Sequence, residues 1–96
     1  MGLQFHKRVH VEDLKGFIYF DKSSKGKEKS HNKWCAEICI AKVRLRRRNK
    51  DKEELIRWLN AVKADIAKNY SEGIAADNFE DAQKDIQERR KELMSL

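Results

Sequence analysis

The stretch KWCAEICIAKVRLRRR, residues 33–48, changes the parity of its apolar residues halfway along. Trp34, Ile38 and Ile40 fall on even positions, whereas Val43 and Leu45 fall on odd ones. Because a β-strand points successive side chains to opposite faces, one unbroken strand would divide these residues between the core and the solvent. A tight turn or bulge at positions 41–42 returns both groups to one face. The sequence therefore predicts two antiparallel strands joined at this point.

The opposite face of these two strands is predicted to meet the solvent. It carries charged and small residues, namely Cys35, Glu37, Cys39, Arg44 and Arg46. The two cysteines stand four positions apart on one extended strand, about 13 Å at roughly 3.3 Å per residue, which is too far for a disulfide. A reducing, cytoplasmic location is the simplest expectation for such a chain.

Two further segments bear on the predicted sheet. Residues 17–20, FIYF, are aromatic and β-branched, as a strand requires. Residues 21–33 hold five lysines and no large apolar side chain, which indicates a long hairpin loop. Residues 3–11 alternate loosely and would add an edge strand. We expect three antiparallel strands, or four with this N-terminal segment.

The apolar period becomes helical from Asp51 onward. Apolar residues recur every three or four positions from Leu55 to Tyr70, and Trp58 widens the stripe that they form. Asp51 stands where a helix takes its N-terminal cap. Gly73 is able to adopt the left-handed conformation that often ends a helix. This segment is predicted to be the helix that covers the inner face of the sheet.

A second helix is predicted to begin at Asp77 or Asn78 and to run through residues 77–95. Its apolar stripe is thin, so it needs support from the domain or from the same helix of a second copy, which would make a homodimer. The expected fold is α+β: a small antiparallel sheet packed on a helix, with an additional C-terminal helix. The chain is one domain overall, with a sheet-plus-helix part at 1–76 and the helical part at 77–96.

The basic charge is concentrated in the first half of the chain. Residues 1–50 carry 14 Lys and Arg against 5 Asp and Glu, a net charge of +9, whereas residues 51–96 carry 8 against 11, a net charge of −3. A positive field of this kind suits a phosphate backbone, an anionic lipid or an acidic protein. No apolar run approaches the roughly 20 residues of a membrane span, so we expect no membrane partner.

Catalytic, cofactor and metal signatures are weak in this sequence. His6, His10 and His31 stand in polar contexts, and neither a nucleophile elbow nor a glycine-rich phosphate loop occurs. Cys35 and Cys39 lack the close paired spacing of a structural zinc site. We therefore expect a protein without enzymatic activity, metal or cofactor.

The arginine cluster at positions 44–48 is the strongest functional feature. Alternate residues of a strand project from one face about 6.6 Å apart, close enough to bridge phosphates or to meet base edges in a major groove. Alternatively, these charges only protect an edge strand from aggregation. The candidate nucleic-acid-binding residues are Lys42, Arg44, Arg46, Arg48, Glu37, Lys25, Lys27, Lys29 and Lys33.

Three short motifs resemble a known family. GFIYF, KWCAEI and KVRL, followed by the acidic helix start DKEEL, are similar in kind and order to the Apetala or ethylene-response-factor type of DNA-binding domain over residues 15–70. Related domains occur in phage and mobile-element proteins. The resemblance implies a three-stranded sheet in the major groove with a helix behind it. It also implies that Glu37, Cys39, Lys42 and Arg44 face DNA.

The functional expectation is a small basic DNA-binding module, with duplex DNA favoured over a single strand. In that role Glu37 either accepts a hydrogen bond from a cytosine amino group or orients a neighbouring arginine. The alternative is a protein-interaction adapter or inhibitor whose basic sheet docks on an acidic protein surface.

Overall fold

The computed structural model of the chain describes residues 14–21 and 33–96. It contains a three-stranded antiparallel sheet in the order β1-β2-β3, followed by helices, which confirms the α+β fold. The strands are β1 (Phe17–Asp21), β2 (Lys33–Ile40) and β3 (Val43–Asn49). The long helix α1 spans Lys52–Asn69. A short 3-10 helix at Ala76–Asn78 then precedes α2 (Phe79–Glu88) and α3 (Arg90–Met94).

The turn between β2 and β3 lies where the change of parity predicted it. Ala41 and Lys42 are its two central residues, with φ angles of 50° and 64°. Ile40 pairs with Val43 across the turn, so the residues on both sides of it point to the same face. Two positive φ angles are the mark of a tight hairpin turn whose twist matches that of the strands. The residues predicted to face inward are buried, namely Ala36, Ile38, Ile40, Val43 and Leu45.

Trp34 is the exception within this inward set. It packs against the core but stays half-buried at the end of the sheet. The ring of Phe20 meets its ring edge-on at 5.2 Å between centroids, and Lys52 Nζ lies 4.8 Å from its centroid. The prediction of an inward-facing Trp34 is right in direction, but the core covers this side chain only in part.

Helix α1 covers the inner face of the sheet as its apolar stripe predicted. Its N-terminus is capped by Asp51, whose carboxylate accepts a hydrogen bond from the Glu53 amide at 3.0 Å. Its buried residues are Leu55, Trp58, Leu59, Val62 and Ile66. After the helix ends, Gly73 adopts a left-handed backbone with φ of 86°, the conformation that favours glycine at such a position.

The C-terminal segment forms two helices instead of the single helix that the sequence predicted. The chain leaves regular helical geometry at Arg89, where φ is −92° and ψ is 9°. The Arg89 guanidinium makes two hydrogen bonds to the Asp65 carboxylate of α1, at 2.8 and 3.0 Å, and also pairs with Glu92. This contact between elements holds the junction of α2 and α3 against α1.

Both C-terminal helices contribute to the same core as the sheet and α1. Ala82, Ile86 and Leu93 are buried within that core. The indole Nε1 of Trp58 donates a hydrogen bond to the Leu93 carbonyl at 2.9 Å. The apolar stripe of the tail is therefore covered by its own chain, and the homodimer stays a prediction.

Some expectations concern residues that the structure does not describe. The N-terminal edge strand at 3–11, the lysines of the 21–33 loop before Lys33, and all three histidines lie outside the described residues. Within residues 14–21 and 33–96, no helix combines the length and the apolar character that crossing a membrane requires.

Candidate nucleic-acid interface

The outer face of the sheet, the side turned away from α1, collects residues from all three strands. The pairing register aligns them in rows across the sheet. Phe17, Glu37 and Arg46 form one row, Tyr19, Cys35 and Arg48 form the next, and Cys39 pairs with Arg44. Residues directly opposite each other in adjacent strands share a face, so the register alone brings these eight side chains to one side of the sheet.

Glu37 lies at the centre of the outer face and is bound from two sides. The Tyr19 hydroxyl donates a hydrogen bond to its Oε2 at 2.5 Å. Arg46 Nη2 and Arg44 Nε lie 3.6 and 3.7 Å from its two oxygens. The hydrogen bond from Tyr19, with the charges of the two arginines, holds the pKa of Glu37 below its usual range. The carboxylate is therefore ionised at neutral pH and lies between the two guanidinium groups.

The arginines keep most of their capacity to bind an anion. The Arg44 side chain is 71% exposed and that of Arg46 is 47% exposed. Both contacts to Glu37 are longer than the usual limit for a hydrogen bond, so the guanidinium N–H groups remain available for stronger partners. With Arg48 also exposed, β3 presents three cations to solvent, and the described carboxylate beside them is Glu37. The outer face of β3 is therefore electropositive.

Phe17 and Tyr19 are functional candidates that the sequence pattern did not single out. They project from the outer face of β1 and are 65% and 39% exposed. Ile18, between them, packs against the core instead. The parity of FIYF would have identified this pair once Ile18 was placed inward. Exposed aromatic rings beside arginines are a combination that surfaces binding single-stranded nucleic acid use for stacking on unpaired bases.

The two cysteines occupy different environments on the same face. Cys39 is exposed as predicted, whereas the prediction that Cys35 meets the solvent is wrong, because Cys35 is buried next to Tyr19; both are free thiols. The hydrogen bonds that Tyr19 makes with Cys35 and Glu37 raise the pKa of Tyr19 to about 12. In the part of the chain that the structure describes, His, Cys, Asp and Glu side chains form no cluster of three or more that would hold a metal ion.

The structure brings only some of the predicted lysines near the arginines. Lys42 lies in the turn beside Arg44, is exposed, and places its Nζ 6.0 Å from the Phe79 ring centroid. Lys33 is half-buried at the other end of β2, six residues and about 20 Å from Cys39. Lys25, Lys27 and Lys29 lie outside the described residues. The compact site is therefore Lys42, Arg44, Arg46 and Glu37, with Arg48 in the next row.

No protein-family model, curated protein or solved structure matches this chain. The resemblance to the Apetala or ethylene-response-factor domain therefore stays a prediction from the quoted motifs.

Proposed function

We propose that this chain is a small DNA-binding module without catalytic activity that uses the outer face of its sheet. The observation that carries the proposal is the position of Arg44, Arg46 and Arg48 on the solvent side of β3. A major groove admits a β-ribbon, and arginines spaced by two residues on a strand can contact successive phosphates or base edges. Phosphate contacts of this kind position a protein on a duplex.

Glu37 supports the same proposal because it lies beside Arg44 and Arg46 and favours one orientation of their side chains. A carboxylate held by Tyr19 and flanked by two arginines limits the freedom of long side chains before DNA arrives. Less conformational entropy is then lost when each guanidinium contacts a phosphate. In this role Glu37 orients Arg44 and Arg46, and a base contact is not required of it.

The experiment is binding of fluorescent random duplex DNA, followed by anisotropy at several salt concentrations. If four to six cations neutralise phosphates, the logarithm of affinity should fall against the logarithm of salt with a slope of about −4 to −5. The double variant Arg44→Ala/Arg46→Ala should weaken binding and reduce the magnitude of the slope by about 2, since each lost phosphate contact removes roughly 0.9.

The matched control is Arg57→Ala/Lys68→Ala, which removes the same charge from exposed positions of α1. It should leave the slope nearly unchanged because neither residue lies on the outer face. No binding by the native chain at about 50 mM salt, or equal losses in the two double variants, would contradict the proposal.

The exposed Phe17 favours one alternative, an acidic protein partner. An apolar ring that is 65% exposed beside arginines also suits the polar rim and apolar centre of a protein interface. Phe17→Ser distinguishes the two functions. The paired bases of a duplex are not available to stack on Phe17, so duplex binding through phosphates should change little, whereas docking of a protein should lose much of its affinity. A chain that binds no DNA but whose capture of an acidic protein depends on Phe17 would establish the alternative.

A further inference from the structure

A concave site lies between β3 and the junction of α2 and α3. Its volume is about 290 Å³, and we call it the edge notch. It is lined by Lys42, Val43, Arg44, Arg46, Gln87 and Arg90. The notch is thus continuous with the outer face through the two arginines, but its far wall belongs to the C-terminal helices.

The chemistry of the notch is that of a site for an anion. Four of its lining residues are cations, and Gln87 adds an amide; the described lining residues include no carboxylate. Among the described residues, the carboxylate that contacts this group is Glu37, which stands 3.7 and 3.6 Å from Arg44 and Arg46. Four converging positive charges repel each other, and an anion between them relieves that repulsion.

The donors of the helical wall are available to a ligand. Among the described residues, the side chains of Gln87 and Arg90 have no hydrogen-bond or ion-pair partner. The neighbouring Arg89 is held by Asp65 of α1, so the backbone from which Arg90 projects is anchored. On the opposite rim, Lys42 is positioned over the Phe79 ring of α2.

We propose that the edge notch binds a phosphate group, with Arg90 and Gln87 as donors from the helices and Lys42, Arg44 and Arg46 as donors from the hairpin. A planar guanidinium matches the paired oxygens of a phosphate, and several guanidinium groups at one point are typical of phosphate recognition. The assignment of this phosphate to a DNA backbone rests on the proposed function. On that reading the DNA-contacting surface continues from the outer face around β3 onto the C-terminal helices.

The test compares Arg90→Gln with Lys91→Gln. Both variants remove one charge from neighbouring exposed positions of α3, but only Arg90 lines the notch. The first probe is inorganic pyrophosphate, titrated by chemical-shift perturbation of the native chain and of each variant. The second is the random duplex, titrated by anisotropy at several salt concentrations. Thermal melts check that each variant is folded.

Arg90→Gln should weaken pyrophosphate binding by roughly fivefold or more, the effect of losing one charge-assisted hydrogen bond at an accessible site. It should also reduce the magnitude of the duplex salt slope by about 0.9, because one phosphate contact is lost. Lys91→Gln should change either affinity by less than about twofold, as an exposed charge outside the contact does. Gln87→Glu, which adds a carboxylate to the notch, should also weaken pyrophosphate binding.

The outcomes separate this inference from the proposed function. If Arg90→Gln and Lys91→Gln behave alike toward pyrophosphate, or if pyrophosphate does not bind, the notch is not a phosphate site, whatever the duplex does. If pyrophosphate binds in the notch but the duplex does not bind, the DNA-binding proposal fails and the phosphate comes from a free phosphorylated ligand. If the duplex binds with no difference between Arg90→Gln and Lys91→Gln, the DNA footprint ends at the sheet.

Discussion

At the scale of single residues, Glu37 has two opposing effects on the candidate interface. Its carboxylate orients Arg44 and Arg46, but it also reduces the positive charge that a phosphate would meet there. Arg90 and Lys42 have no such carboxylate partner among the described residues. The strongest attraction for an anion is therefore expected at the edge notch. The centre of the outer face is better suited to orienting the arginines than to adding affinity for phosphate.

The two tyrosines of the chain give a direct measurement of this network. Hydrogen bonds with Cys35 and Glu37 raise the pKa of Tyr19 to about 12, while burial and a hydrogen bond to Asp85 at 2.7 Å raise the pKa of Tyr70 to about 12. The ultraviolet absorbance of phenolate should therefore rise near pH 12 in the folded chain, instead of near the ordinary pKa of about 10.

The raised pKa values of Tyr19 and Tyr70 make the stability of the fold depend on pH. A pKa that is higher in the folded than in the unfolded state contributes stability below about pH 10, and this contribution is lost as the pH rises from about 10 to 12. Glu37→Gln should lower the titration midpoint of Tyr19 and leave that of Tyr70 unchanged. A native midpoint near 10 for Tyr19 would show that its hydrogen bond to Glu37 is not populated in solution.

At the scale of elements, the β2–β3 hairpin was predictable, because the apolar residues of both strands reach the same buried face only if a turn separates the even positions from the odd ones. Helix α1 was predictable for a similar reason, since its apolar residues repeat at the helical period from Leu55 to Ile66. The break at Arg89 was not predictable, because it coincides with a contact to Asp65, 24 positions earlier in the chain. Local patterns do not contain that kind of information.

The candidate site was predictable only in part for the same reason. Parity placed Glu37, Arg44 and Arg46 on one surface, and the pairing register confirms that placement. The contribution of Arg90 depends on how the C-terminal helices pack beside β3, and the row that joins Phe17 to Glu37 depends on strand register. Neither the packing nor the register can be read from the spacing of residues within one element.

The hairpin turn gives a prediction about stability. Ala41 and Lys42 have left-handed φ angles, which cost a residue with a Cβ atom roughly 1 to 2 kcal/mol relative to glycine. Lys42→Gly should therefore raise the free energy of unfolding by about 0.5 to 1 kcal/mol, after the greater flexibility of glycine in the unfolded chain is deducted. The measurement is the denaturation midpoint in guanidinium chloride.

Lys50→Gly is the matched control, because Lys50 is exposed and is not among the described residues with a positive φ. There glycine adds only freedom to the unfolded chain, so the change should destabilise by a few tenths of a kcal/mol to about 1 kcal/mol. If the two variants shift the midpoint in the same direction, the turn does not have the left-handed geometry described above.

At the scale of the whole molecule, one core joins the sheet, α1 and the C-terminal helices. Leu93 is buried within it and its carbonyl accepts the hydrogen bond of Trp58. The tail is thus part of the domain that supports the outer face, and its packing beside β3 creates the edge notch. Removal of α2 and α3 would both expose Trp58 and eliminate one wall of the notch.

Leu93→Ala tests this architecture with less damage than a truncation. Leu93 is fully buried, so the substitution should cost roughly 2 to 5 kcal/mol through lost burial and the cavity left behind. Leu96→Ala is the control, because the same change at a residue that is 42% exposed should stay within about 0.5 kcal/mol. Guanidinium unfolding at several protein concentrations measures both effects.

Since Leu93 contacts its own chain, the midpoints should not depend on concentration, whereas a concentration-dependent midpoint would indicate the homodimer. Duplex affinity of folded Leu93→Ala should remain within about twofold of native, and a larger loss would show that DNA binding depends on how α3 packs against the core.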